Sequence, residues 1–248
     1  MATFPPIDMA IAKPEPRFIR DPETRRAPRR DLLSIAFHDG SHNYPYCWGF
    51  TIFRTVYTPG SDEAFAKAIG RLAIYAKQYA DDDILHKRLP NEGPRDPLPN
   101  RELWSRYYNE TVEDPETLAN AGVEEVGRRF DAWVSEHFDS GGGKRGVPNS
   151  RFRLCLMLDQ QSIDSILAMP ENPRTGLRDD PHIFDRWVKV VTDEQWADRG
   201  RLWLRVGVSF VWLLWFGAQD PDFMYEEAGW ADDSDGVLNF WGMRDWHS

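Results

Sequence analysis

The sequence predicts an α+β domain, with a mostly antiparallel sheet and helices packed on one face. Three observations lead there. The segment Trp48–Tyr57 (WGFTIFRTVY) is dense in β-branched and aromatic residues and reads as a strand that runs into an amphipathic helix. The same strand-then-helix order returns at Arg151–Leu158 (RFRLCLML), where Asp159 is a suitable cap for the helix that follows. Later, Trp187–Thr192 and Arg201–Val208 read as two strands joined by a short charged connection, which favours an antiparallel pair.

Taken in order, residues 1–30 read as a mobile basic arm, since prolines and scattered arginines give them no period. Asp31–Phe37 suggests a short strand or an edge turn. After the first strong strand, Thr58-Pro59-Gly60 turns the chain and Ser61 caps a helix from Asp62 to about Ala80. Phe65, Ile69, Leu72, Ala76 and Tyr79 form its apolar stripe, and Asp62 and Glu63 place negative charge in its first turn. Asp81–Asn100 reads as a surface loop, Arg101–Asn109 as a short helix, and Asp114-Pro115 as a cap with proline at the first helical position. Gly122–Phe138 is a strong helix with Val123, Val126, Phe130, Trp133 or Val134, and Phe138 on one face. These helices make a helical insertion at about 81–148 in a single domain spanning 31–248. Ser209–Phe216 is a continuous apolar run, read as a strand passing into a short helix that ends at Gly217. From about residue 219 the chain becomes a tail rich in Trp and Asp.

Charge and length narrow the function classes. The formal net charge is −10, but the first thirty residues are net +3, so the rest carries −13. A body this acidic repels phosphate backbones, which speaks against nucleic acid as the main ligand. The longest apolar run, Val206–Gly217, is too short to span a bilayer, and no signal peptide opens the chain, so a cytoplasmic protein without a membrane partner is expected. Two cysteines, Cys47 and Cys155, make no disulfide framework and are expected to be reduced and buried.

Gly49–Tyr57, Pro59-Gly60-Ser61-Asp62 with its helix, Arg151–Asp159 and Arg205-Val206-Gly207-Val208 together resemble a group of uncharacterised filamentous-fungal proteins, over roughly Trp48 to Gly217. That resemblance implies no activity and carries over no functional residue. The two strand–helix units with an antiparallel pair also resemble a ferredoxin-like plait with insertions, a likeness of fold that says little about function.

The best polar cluster is His38, Asp39 and His42, just before the first strong strand. Gly40 and Asn43 favour a turn there, which weakens the case for a His-x3-His metal site, and no metal or cofactor is expected. A His–Asp pair could instead transfer protons. Arg54, inside an otherwise apolar strand, must be paired or face a functional cavity, and Asp159 is its natural partner. Tyr57 could donate a hydrogen bond beside it. Several motifs fail on spacing. Asp81-Asp82-Asp83 lacks the rest of a DDxxD motif, Asp232–Gly236 lacks calcium ligands at the first and last positions, and Gly141-Gly142-Gly143-Lys144 lacks the Ser/Thr of a P-loop.

Eight of the eleven tryptophans lie between Trp187 and Trp246. Those on strands are explained by packing. Trp230, Trp241 and Trp246 sit instead among eight carboxylates in the tail. The leading reading is therefore an intracellular small-molecule-binding protein for a planar or apolar compound, with cofactor-independent catalysis as one form of it. His38, Asp39, Arg54 and Tyr57 would do the chemistry, and His42, Trp48, Trp230, Trp241 and Trp246 would line the ligand. The alternative is a protein–protein interaction module using the tail and the basic arm. Whether the chain is an enzyme, and whether it forms a homodimer, the sequence leaves open.

Overall fold

A computed structural model describes residues 4–12, 27–40, 46–85, 94–137, 149–173, 185–193, 203–218 and 238–240, with backbone alone at 38–40 and 238. Its centre is a six-stranded mixed sheet: β1 (Thr51–Arg54), β2 (Glu110–Val112), β3 (Leu154–Leu158), β4 (Trp187–Thr192), β5 (Trp203–Gly207) and β6 (Leu238–Phe240), in the order β2-β1-β3-β4-β5-β6. The fold is α+β, but the sheet differs from the expected mostly antiparallel one. β1 runs parallel to both β2 and β3, and β5 parallel to β6; β3–β4 and β4–β5 are antiparallel.

The described helices are α1 (Met9–Ala12), α2 (Ala27–Gly40), α3 (Ser61–Leu85), α4 (Leu98–Ser105), α5 (Pro115–Leu118), α6 (Val123–His137), α7 (Gln160–Leu167) and α8 (Val211–Gly217). They cover both faces of the sheet rather than one, because alternate strand residues feed two cores. Phe50, Ile52, Leu154, Leu156, Val188 and Val190 face α2, α3, α7 and α8, where Leu32, Phe65, Leu72, Ile163 and Trp212 meet them. Phe53, Cys155, Met157 and Val191 face the other way, onto Leu118, Val126, Phe130 and Trp133 of α5 and α6. The central strands β1 and β3 are buried at every position, as a strand covered on both sides must be.

Local chemistry accounts for the element ends. Asp159 caps α7 by accepting from the Ser162 N–H at 2.9 Å, and Asp114 accepts from the Glu116 N–H ahead of Pro115. Two segments differ from expectation. Ala27–Gly40 is a helix rather than a strand or edge turn; Leu32 and Ile35, spaced by three, are its buried contacts. Helix α3 runs on through the aspartates to Leu85, because Lys77 pairs with Asp81 one turn away and Asn100 donates to Asp83, relieving the charge at its end. Cys47 and Cys155 are buried thiols, not joined in a disulfide. Among the described residues, no helix is long and apolar enough to cross a membrane.

Candidate functional site

Arg54 ends β1 with its side chain 5% exposed, and every nitrogen of its guanidinium is occupied. Nε donates to the Val56 carbonyl at 2.8 Å, Nη1 to Glu113 at 2.8 Å, and Nη2 to Ser61 at 2.9 Å and to Asp62. The Tyr57 and Phe65 rings flank it, at 4.8 and 4.9 Å from their centroids. Burial opposes its charge, but the bonds to Asp62 and Glu113 outweigh that and hold the proton more firmly than usual. Arg54 thus fastens the end of β1 to the start of α3 and to the chain leaving β2. Its partner is not Asp159, which pairs with Lys189 instead. Burial disfavours charge on Asp159, yet Lys189 and the Ser162 N–H hold its carboxyl below the usual range.

Tyr57 is committed as well. Its hydroxyl donates to the Arg54 carbonyl at 3.0 Å and accepts from the Asp114 N–H at 2.9 Å. Arg54 and Tyr57 therefore come together, as a closed structural knot. His38 and Asp39 lie on the last turn of α2. That helix meets α3 far from Arg54: Tyr79 donates to Asp31 at 3.1 Å, while Arg54 holds Ser61, some 27 Å earlier along α3 at 1.5 Å per residue. Trp48 is fully buried, its Nε1 donating to the Leu103 carbonyl at 2.6 Å and its ring edge-on to Trp212 at 5.4 Å. His42, Trp230, Trp241 and Trp246 lie outside the described residues.

A built groove lies elsewhere, on the outward side of α3. Its volume is about 380 Å³, and Ile74, Lys77, Gln78, Asp81, Trp104, Glu171 and Pro173 are among the residues that line it. That volume suits a small molecule. Ile74, Lys77, Gln78 and Asp81 recur every three or four positions, so one stripe of the helix makes the floor.

Both walls are fastened. Arg71 donates to the Met169 carbonyl and to Glu171 at 3.3 Å, and Tyr75 donates to the Pro170 carbonyl at 3.1 Å, pinning the segment after α7. On the other side Asn100 donates to the Ala80 carbonyl at 2.8 Å, pinning α4, which carries Trp104. Tyr107 stacks on the Trp104 indole at 5.1 Å, and the Lys77 ammonium lies 5.7 Å from its centroid.

The groove's charges are internally matched, Lys77 with Asp81 and Glu171 with Arg71. Gln78 Oε1 is buried away from solvent with no hydrogen-bond partner. The arrangement can hold an apolar body. Ile74, 44% exposed among the polar residues of α3 and off its core stripe, was the signal in the sequence. Among the described residues, no group of three or more His, Cys, Asp or Glu is placed to hold a metal ion. Compared with known proteins, the chain matches no protein family, no curated protein and no solved structure.

Proposed function

We propose that this protein binds a small molecule with an apolar, ring-sized body, in the groove between α3, α4 and the segment after α7. The observation that carries this reading is a groove of about 380 Å³ with an indole wall and both sides fastened by hydrogen bonds. A pocket held open in advance loses little conformational entropy when it fills. The apolar body would rest on Ile74, Trp104 and Pro173. Because Lys77, Asp81 and Glu171 are already paired, the groove favours binding over proton transfer.

The test is a fluorescence titration with 1-anilinonaphthalene-8-sulfonate, followed by displacement with a library of small aromatic alcohols and amines. Ile74→Glu places a negative charge in the groove at an exposed helix position, where a change in stability within about 0.5 kcal/mol is expected. Ile74→Glu should weaken binding of the anionic, apolar-bodied probe at least about tenfold. An unchanged titration in this variant would remove the groove as the site.

A further inference from the structure

Among the described residues β2 is the last strand on one side of the sheet, and its outer edge is open. Along a strand, alternate residues turn their backbone N–H and C=O towards the same neighbour. Tyr108 N–H donates to the Trp48 carbonyl at 2.9 Å and Glu110 N–H to the Phe50 carbonyl at 3.0 Å. Thr51, Ile52 and Phe53 are in register with Glu110, Thr111 and Val112. Tyr108, Glu110 and Val112 therefore direct their backbone groups to β1. Asn109, Thr111 and Glu113 turn theirs the other way, and among the described residues none of those groups has a partner.

Thr111 and Glu113 are exposed, so the edge is open to solvent. Sheets commonly guard such an edge with lysine, with proline, or with a helix or loop laid across it. Tyr107–Asp114 contains neither lysine nor proline, and α5 and α6 pack on a face of the sheet. The charge around the edge is one-sided instead. From Tyr107 to Gly127 there are six carboxylates, Glu110, Glu113, Asp114, Glu116, Glu124 and Glu125, and no Lys or Arg. Glu113 pairs with Arg54, and Glu125 with Arg128 and Arg129. Among the described residues no cation forms an ion pair with Glu110, Asp114 or Glu116.

That charge decides the occupant. A second copy of this chain, paired edge to edge, would set these carboxylates against their equals. A basic strand would meet them with opposite charge. We infer that β2 takes up an extended segment of another protein, rich in lysine or arginine, as an added strand of the sheet. Its main chain pairs with Asn109, Thr111 and Glu113, which supplies affinity whatever its side chains. Its cations lie among the acids that flank the edge, which selects it over neutral and acidic strands. The surface is separate from the groove and does not depend on it.

The experiment titrates the full chain with a fluorescein-labelled peptide of alternating lysine and threonine, read by fluorescence anisotropy. The same peptide with glutamate for lysine reverses the charge. A third version, N-methylated throughout, keeps the charge but has no backbone donors. Both should bind at least about tenfold more weakly than the lysine peptide. Thr111→Pro removes an outward N–H that β1 does not use, a change edge strands tolerate, and should weaken the lysine peptide by the same factor. Hydrogen exchange at the Thr111 amide of the parent protein should slow at least about tenfold when that peptide is bound. Equal binding of the N-methylated peptide, with Thr111 exchange unchanged, would overturn the proposal in favour of a charge contact alone. Equal binding of the glutamate peptide would overturn the basic partner. A dimer in sedimentation that Thr111→Pro dissolves would assign the edge to a second copy. No binding of the lysine peptide at millimolar concentration would leave β2 as a plain sheet edge and overturn the proposal outright.

Discussion

Asp31 shows how one side chain can set the pH response of this protein. It is buried on α2, with Tyr79 donating to one oxygen at 3.1 Å and Arg30 at 3.7 Å from the other. Burial disfavours its charge more than Arg30 and Tyr79 restore it, and Asp83 nearby adds to the effect, so its carboxyl is pushed up to about 7. The unfolded chain sheds this proton near 3.8. Below that pH both states hold the proton and Asp31 costs nothing. As pH climbs towards 7 the unfolded state ionises first, so stability falls, by on the order of 4 kcal/mol at most, and then levels off. Asp31→Asn should flatten that slope and be the more stable protein at pH 8. Urea unfolding across this range checks it, and parallel losses in parent and variant would show that Asp31 does not carry the effect. Arg54 is the contrasting residue. Its isolation in an apolar strand was legible in the sequence, but its partners were not, because Asp62 and Glu113 are brought to it by a turn and a neighbouring strand.

At the scale of elements, β1 and β2 approach each other closely at the entrance to β1. Gly49 has φ +121°, which L side chains rarely adopt, and an added Cβ would lie 2.4 Å from the Tyr108 carbonyl. Tyr108 N–H donates to the Trp48 carbonyl at 2.9 Å, so β1 and β2 begin their pairing across this contact. Gly49→Ala should therefore cost well over the ~1 kcal/mol of an ordinary glycine replacement. Denaturant unfolding reads this out, and a loss under that amount would mean the strands separate freely here. Most elements were legible where one face is apolar at a fixed period. The long helices α3 and α6 and strand β4 lie close to where the sequence puts them. Helix α2 was hidden because Pro28, Arg29, Arg30 and Asp31 mask a stripe made by little more than Leu32 and Ile35. The floor of the groove was marked by Ile74 alone: Lys77 and Gln78 look like an ordinary solvated face until Trp104 is brought to them.

Over the whole molecule, the sheet carries Cys155 at its centre and Cys47 just before β1, both fully buried. They act as built-in reporters of cooperativity. Both thiols should resist a thiol reagent such as DTNB in the native state and react together, at a rate that follows global unfolding. Rapid reaction of either one would reveal that part of the sheet opens separately. The strand–helix units were readable, but their arrangement was not. Short-range pattern marks a strand without saying that β1 sits between β2 and β3, nor that it runs parallel to both. That placement also has a consequence in time. Thr51 pairs with Glu110 and Cys155, 59 and 104 positions further along the chain. During synthesis the central strand emerges long before either neighbour exists, with Phe50, Ile52 and Phe53 still without a sheet to enter. Until the stretch through Leu158 has left the ribosome, these apolar side chains have no native sheet to pack in, and assembly waits on the middle of the chain.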